Sequence, residues 1–154
     1  MEDEQSSEKF RIFAIAFMKE AREDVESAKR LLEARKYSRA VFFSQQAVEK
    51  SVKALLEMEK IFVAEHDLAT FFMKFIYNNK KYQELKKERN IILENINYFE
   101  GEWSKTRYPR EVRGKVVVPT DLYDEHDASQ AIEKSEETLK VITMLLNKKF
   151  RLNL

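Results

Sequence analysis

The stretch Gly101-Glu102-Trp103-Ser104-Lys105-Thr106-Arg107-Tyr108-Pro109-Arg110-Glu111-Val112-Arg113-Gly114-Lys115-Val116-Val117-Val118-Pro119 holds both glycines and both prolines of a 154-residue chain. Glycine loosens the backbone, and proline fixes φ and removes a donor, so the two residue types punctuate secondary structure. Here all the punctuation falls within 19 consecutive residues. The segments on either side contain neither type and read as long helices. The window, extended to about 100–125, reads as one long basic loop. It carries the only tryptophan, and Lys105 to Lys115 sets five cations against one anion.

Working outward from the loop, apolar residues recur at three- and four-residue spacing, the mark of a helix with one buried face. Phe13, Ala14, Phe17, Ala21, Val25, Ala28, Leu31 and Leu32 define a first helix. Ala40, Phe43, Ala47, Ser51, Ala54, Leu55 and Met58 define a second. A second stripe, Val41, Val48, Val52 and Leu56, predicts that this helix is central or lies at a subunit interface. The boundary falls near 36–38, with Ser38 as the expected cap. A short third helix follows Asp67, Asn78-Asn79 reads as a turn, and a fourth helix carries Leu85, Ile92, Ile96 and Phe99. Asp124 or Asp127 caps the last helix, which ends in Lys148, Lys149 and Arg151, matched to the negative pole of its dipole. The reading is an all-α, up-and-down antiparallel bundle of about five helices. It forms a single domain over 1–154, with its core at about 10–147.

Apolar residues make up 44% of the chain and charged residues 36%, with a net charge of only +1, so any basic patch is local. Cysteine is absent, which excludes disulfides, thiolate metal sites and a cysteine nucleophile. The acidic start Met1-Glu2-Asp3-Glu4 is unlike a signal peptide, and no apolar run approaches the ~20 residues that span a bilayer. The expected setting is cytoplasmic, without membrane attachment.

No glycine-rich phosphate loop exists. His66 and His126 each have acidic neighbours, but neither belongs to a paired-ligand spacing, so no metal and no cofactor are expected. Two surfaces carry candidate chemistry. In the loop, Arg and Lys are interleaved with Trp103 and Tyr108, as on a surface for phosphates and stacked bases. The alternative is a solvated connection with its aromatics folded back as anchors. On the second helix Gln46, Glu49, Lys50 and Lys53 share a broad face. They are either an exposed Glu–Lys lattice or a phosphate-facing set in which Lys50 or Lys53 supplies the cation.

Ala28 to Leu32, then Tyr37 to Leu56 with its Gln45-Gln46-Ala47-Val48-Glu49-Lys50 core, then His66-Asp67-Leu68 and Arg107-Tyr108-Pro109, resemble in order and spacing the HEPN domain. The resemblance covers about 10–147. It implies a bundle similar to the C-terminal domain of kanamycin nucleotidyltransferase, usually homodimeric. It also implies a separate minimal nucleotidyltransferase as partner, in a nucleotide-handling or toxin–antitoxin-like pair. The binding positions it implies are Gln46, Glu49, Lys50, Lys53, His66, Arg107 and Tyr108, with nucleotide or RNA as ligand. HEPN ribonucleases carry an Arg followed after four to six residues by a His. In this chain residues Glu59, Lys60 and Ile61 stand before His66, and Pro119, Thr120 and Asp121 before His126. An ammonium does not replace the bidentate guanidinium. The expectation is therefore a binding module with no catalytic residue. The alternatives are a ribonuclease with a variant site, using His66 with Lys60 or Arg107, and a purely structural dimerisation and docking module.

Overall fold

The computed structural model describes residues 2–63 and 67–154. Five α-helices account for most of the chain: α1 (Glu2–Glu33), α2 (Tyr37–Met58), α3 (Leu68–Phe72), α4 (Lys86–Glu100) and α5 (Glu125–Phe150). This is the expected all-α bundle. α2 is its centre, packing on α1, α5, α3 and α4, which explains its two apolar stripes. Ala14, Ala21 and Ala28 on α1 and Ala40, Ala47 and Ala54 on α2 each recur every seven residues, and all six are fully buried. Small side chains at that repeat allow two helix backbones to approach closely. Larger residues, among them Leu55, Leu56, Phe72, Ile92, Ile142 and Leu146, fill the remaining core.

The α1–α2 connection is three residues long and closes as a Schellman motif. Lys36 N donates to Leu31 O at 2.8 Å and Arg35 N to Leu32 O at 2.9 Å, with Arg35 at φ 59°. α2 ends the same way, with Lys60 at φ 59° and Ile61 N donating to Leu56 O at 2.9 Å. Ser38 is not the cap of α2. The Schellman turn places Lys36 there, without a side-chain cap bond, and Ser38 lies inside the first turn. Asp67 does cap α3, accepting from Thr70 N at 3.3 Å, and the helix runs on into a π-helical turn, Met73–Tyr77. Asp124 caps α5 in a capping box with Asp127.

The 100–125 segment is less irregular than its sequence suggests. Gly101 to Arg107 form tight turns, Arg110–Val112 and Lys115–Val117 pair as an antiparallel hairpin (β1 and β2), and Pro119–Asp121 forms a 3₁₀ turn. Arg113 at φ 50° and Gly114 at φ 77° occupy the two central positions, both left-handed as a type I′ hairpin turn requires. Val116 is 76% exposed, so this part of the segment is not tucked against the bundle. Phe13, expected in the core, is 47% exposed, and Ile12 and Ile15 beside it on α1 are exposed as well. Among the described residues no helix is long and apolar enough to cross a membrane.

Candidate functional site

The turns after α4 build the site from the backbone up. Thr106 is buried and its hydroxyl donates to Glu102 O at 3.1 Å, while Thr106 N donates to the same carbonyl. Arg107 N and Tyr108 N both donate to Ser104 O. This coil turns the Arg107 guanidinium back onto α2, where it lies between two rings, 4.5 Å from the Phe42 centroid and 4.5 Å from the Trp103 centroid. Its Nη1 donates to Gln45 Oε1 at 3.0 Å and to Trp103 O at 2.7 Å. Gln45 in turn donates from Nε2 to Phe99 O at 3.4 Å, so one buried amide joins α2, the end of α4 and the loop. Burial pulls the Arg107 pKa down and the Glu49 carboxylate works against that. Arg107 is thus held in place by two stacks and two bonds. Its Nε and Nη2 make no protein hydrogen bond among the described residues.

Glu49 stands one turn along α2 from Gln45 and pairs with Lys53 at 2.9 Å, both half-buried. Together with Gln45, Trp103, Phe99 and Leu68, Glu49 lines a cavity of about 250 Å³. A second, more open cavity of about 350 Å³ lies along the same helix, walled by Arg39, Phe42, Phe43, Thr106, Arg107 and Tyr108. Tyr108 is 57% exposed and its ring stands 6.3 Å from that of Trp103. The Tyr123 hydroxyl bonds Glu102, which ties the loop to the chain entering α5. Burial first, and then the carboxylate, push the phenol pKa up.

The structure brings Arg107, Tyr108, Glu49 and Lys53 to one side of α2. Lys50 turns instead to α1, where its ammonium meets Asp24 Oδ2 at 2.6 Å. Burial raises the Asp24 pKa, and the bond to Lys50 offsets part of that. Gln46 is half-buried, and none of the hydrogen bonds just described is its own. His66 lies outside the described residues. His126 is exposed at the start of α5. Among the described residues no group of three or more His, Cys, Asp and Glu is disposed to hold a metal ion.

Two residues of the site, Gln45 and Phe42, are not among the binding positions named from the sequence. The signal for Gln45 was present, because it falls in phase with Val41, Val48 and Val52, a polar residue inside a buried stripe. Phe42 carried no such mark. An aromatic beside Phe43 reads as core until its cation is known.

The HEPN domain model matches residues 14–146. The chain is 34% identical over 140 residues to the protein named "Putative toxin MJ1304" of Methanocaldococcus jannaschii, covering 91% of this chain and 92% of that one. Among solved structures it resembles ST0689, described as an archaeal HEPN homologue. The TM-score is 0.66 at 24% identity, over 86% of this chain and 97% of that one. It also resembles TT1696 from Thermus thermophilus, with a TM-score of 0.64 at 18% identity, over 85% and 96% of the two chains. At these identities the two structures speak for the fold alone.

Proposed function

The chain belongs to the HEPN domain family, and from that premise we propose that it is a homodimeric, non-catalytic nucleotide- or phosphate-binding module. It acts with a separate minimal nucleotidyltransferase in a toxin–antitoxin-like pair. The observation that carries the binding role is Arg107, clamped between Phe42 and Trp103 and bonded to Gln45, with an exposed Tyr108 beside it. A fixed guanidinium loses little freedom when it takes a phosphate, and an adjacent open aromatic offers a face to a base. Glu49 and Lys53 border the same region, and Lys53 supplies a second cation. The missing Arg-to-His spacing supports binding over cleavage. Lys60, the residue correctly spaced from His66, serves as the left-handed closing residue of α2. The toxin-like role comes by way of the relative named as a toxin. The exposed apolar side chains Ile12 and Phe13 on α1 support self-association.

Calorimetry of the chain with ATP, GTP and a short single-stranded RNA tests the binding role. Saturable binding that weakens at least tenfold in Tyr108→Ala, an exposed position that leaves the clamp intact, is the expected result. Absence of binding to all three ligands would leave only a docking role. RNA cleavage that vanishes in His66→Ala would replace the proposal with a variant nuclease.

A further inference from the structure

The connection between α1 and α2 leaves the α2 N-terminus open in a particular way. The first three amides of α2, on Tyr37, Ser38 and Arg39, precede the first intrahelical bond, which runs from Ala40 N to Lys36 O. Lys36 gives no side-chain cap, and the first turn of this 22-residue helix contains no acidic residue. Instead Arg35, Lys36 and Arg39 surround it, and among the described residues none of the three pairs with a carboxylate. These residues line a recessed cavity of about 410 Å³ with Tyr37, Ser38 and Thr120, and no carboxylate lines it. Ser38 is only 3% exposed yet borders this cavity, and its hydroxyl makes no hydrogen bond among the described residues. A hydroxyl without a protein partner, on a residue that walls a cationic hollow, is free to donate to an acceptor placed there. Arg35 holds a left-handed backbone position, φ 59°, that glycine would also adopt.

We infer that the N-terminus of α2 is a phosphate cradle. Phosphate oxygens accept from the Tyr37, Ser38 and Arg39 amides and the Ser38 and Thr120 hydroxyls, while Arg35, Lys36 and Arg39 supply the countercharge. Amides at a helix start combine oriented donors with the positive end of the dipole, which suits a dianion. Arg39 lies on the wall of both this cavity and the Arg107–Tyr108 cavity. From Tyr37 to Phe43 the helix rises roughly 9 Å at 1.5 Å per residue, a span that a nucleotide's phosphates and base can bridge. The source of the phosphate therefore rests on the nucleotide reading above: the terminal phosphates sit at Arg35 and Lys36, and the base lies against Phe43 and Tyr108.

Calorimetry with sodium pyrophosphate and with ATP separates the two claims, using the full chain, Arg35→Gly/Arg39→Gln, Ser38→Ala and Tyr108→Ala. Arg35→Gly keeps the left-handed turn, and circular dichroism confirms folding of each variant. The cradle requires that pyrophosphate bind, that Arg35→Gly/Arg39→Gln weaken pyrophosphate and ATP at least tenfold, and that Ser38→Ala weaken both severalfold. Tyr108→Ala should weaken ATP and leave pyrophosphate unchanged. Pyrophosphate binding with no gain for ATP would uphold the cradle and remove the nucleotide as its source. ATP binding indifferent to Arg35→Gly/Arg39→Gln would overturn the cradle while leaving the nucleotide reading in place. Failure of both probes to bind would overturn both.

Discussion

Replacing Arg107 with alanine tests whether its clamp is a structural device as well as a binding one. The change removes two cation–π contacts, each worth about 0.5–1 kcal/mol at a half-exposed site. It also removes charge-assisted hydrogen bonds to Gln45 and to Trp103 O, a group worth about 1.5–3 kcal/mol. Gln45 is 7% exposed, so its Oε1 loses its partner where water has little access. The terms share one side chain and do not add fully; together they predict a loss of roughly 3 kcal/mol. For a domain of this size each kcal/mol moves the midpoint by about 2–4 °C, so the expected fall is roughly 6–12 °C. Urea denaturation followed by circular dichroism gives the free energy directly. Arg107→Lys keeps the charge but loses the planar stack, so it should recover less than half of the loss. Adding Gln45→Leu to Arg107→Ala removes the stranded acceptor and should return about 1 kcal/mol. A loss below about 1 kcal/mol for Arg107→Ala, with no coupling to Gln45, would mean that the observed stack and bonds hold nothing together.

Further outcomes follow from other contacts. Lys50→Met leaves the nearly buried Asp24 carboxylate without its partner, and should cost about 2–3 kcal/mol at neutral pH. Because burial raises the folded-state pKa of Asp24, its protonated form favours the fold. That contribution is complete below the ordinary carboxylate range and is lost as pH rises through the raised value. The variant should therefore regain stability as the pH is lowered from 7, and a flat pH profile would contradict this. Arg113→Asn, at a left-handed position of the hairpin turn, should slow amide exchange in β1 and β2 severalfold, as hydrogen exchange by NMR would read; unchanged exchange would count against the turn assignment. Tyr82→Phe removes the hydroxyl bonded to Glu59 at 2.6 Å and should cost about 1 kcal/mol in denaturant melts. Phe13→Ser, on the exposed face of α1, should turn the proposed dimer into a monomer in light scattering without loss of helicity; a persistent dimer would place the interface elsewhere.

The bundle was legible because helices announce themselves by period, and glycine and proline were confined to one window. Capping was read less well. Ser38 looked like a cap by residue type, but α1 closes through left-handed Arg35, a position at which glycine is the usual signal. The β1–β2 hairpin was missed for a related reason. Its turn is Arg113-Gly114 instead of the familiar Asn-Gly, and its strands are only three residues long, too short for an alternation to register. Phe13 fits the helical stripe of α1, yet period alone states only that a face is apolar and not which partner covers it.

The site was legible by element and not by residue, and the reason lies in the geometry of α2. Consecutive residues on a helix point about 100° apart, so on a helix packed on several sides neighbouring residues serve different surfaces. Gln45 goes inward to hold Arg107 while Gln46 stays half-buried; Glu49 meets Lys53 near the loop while Lys50 crosses to Asp24 on α1. A reading that groups polar residues by three- and four-residue offsets treats this stretch as one face. The apolar stripes offered a sharper criterion. A polar residue in register with buried valines must find a partner inside the protein, and Gln45 is such a residue. Applied at the start of the helix, the same criterion singles out Ser38, buried in the α1–α2 elbow with no partner among the described residues. One in-phase polar residue has its partner within the chain and the other has none among the described residues, and that difference separates the Arg107 clamp from the proposed phosphate cradle.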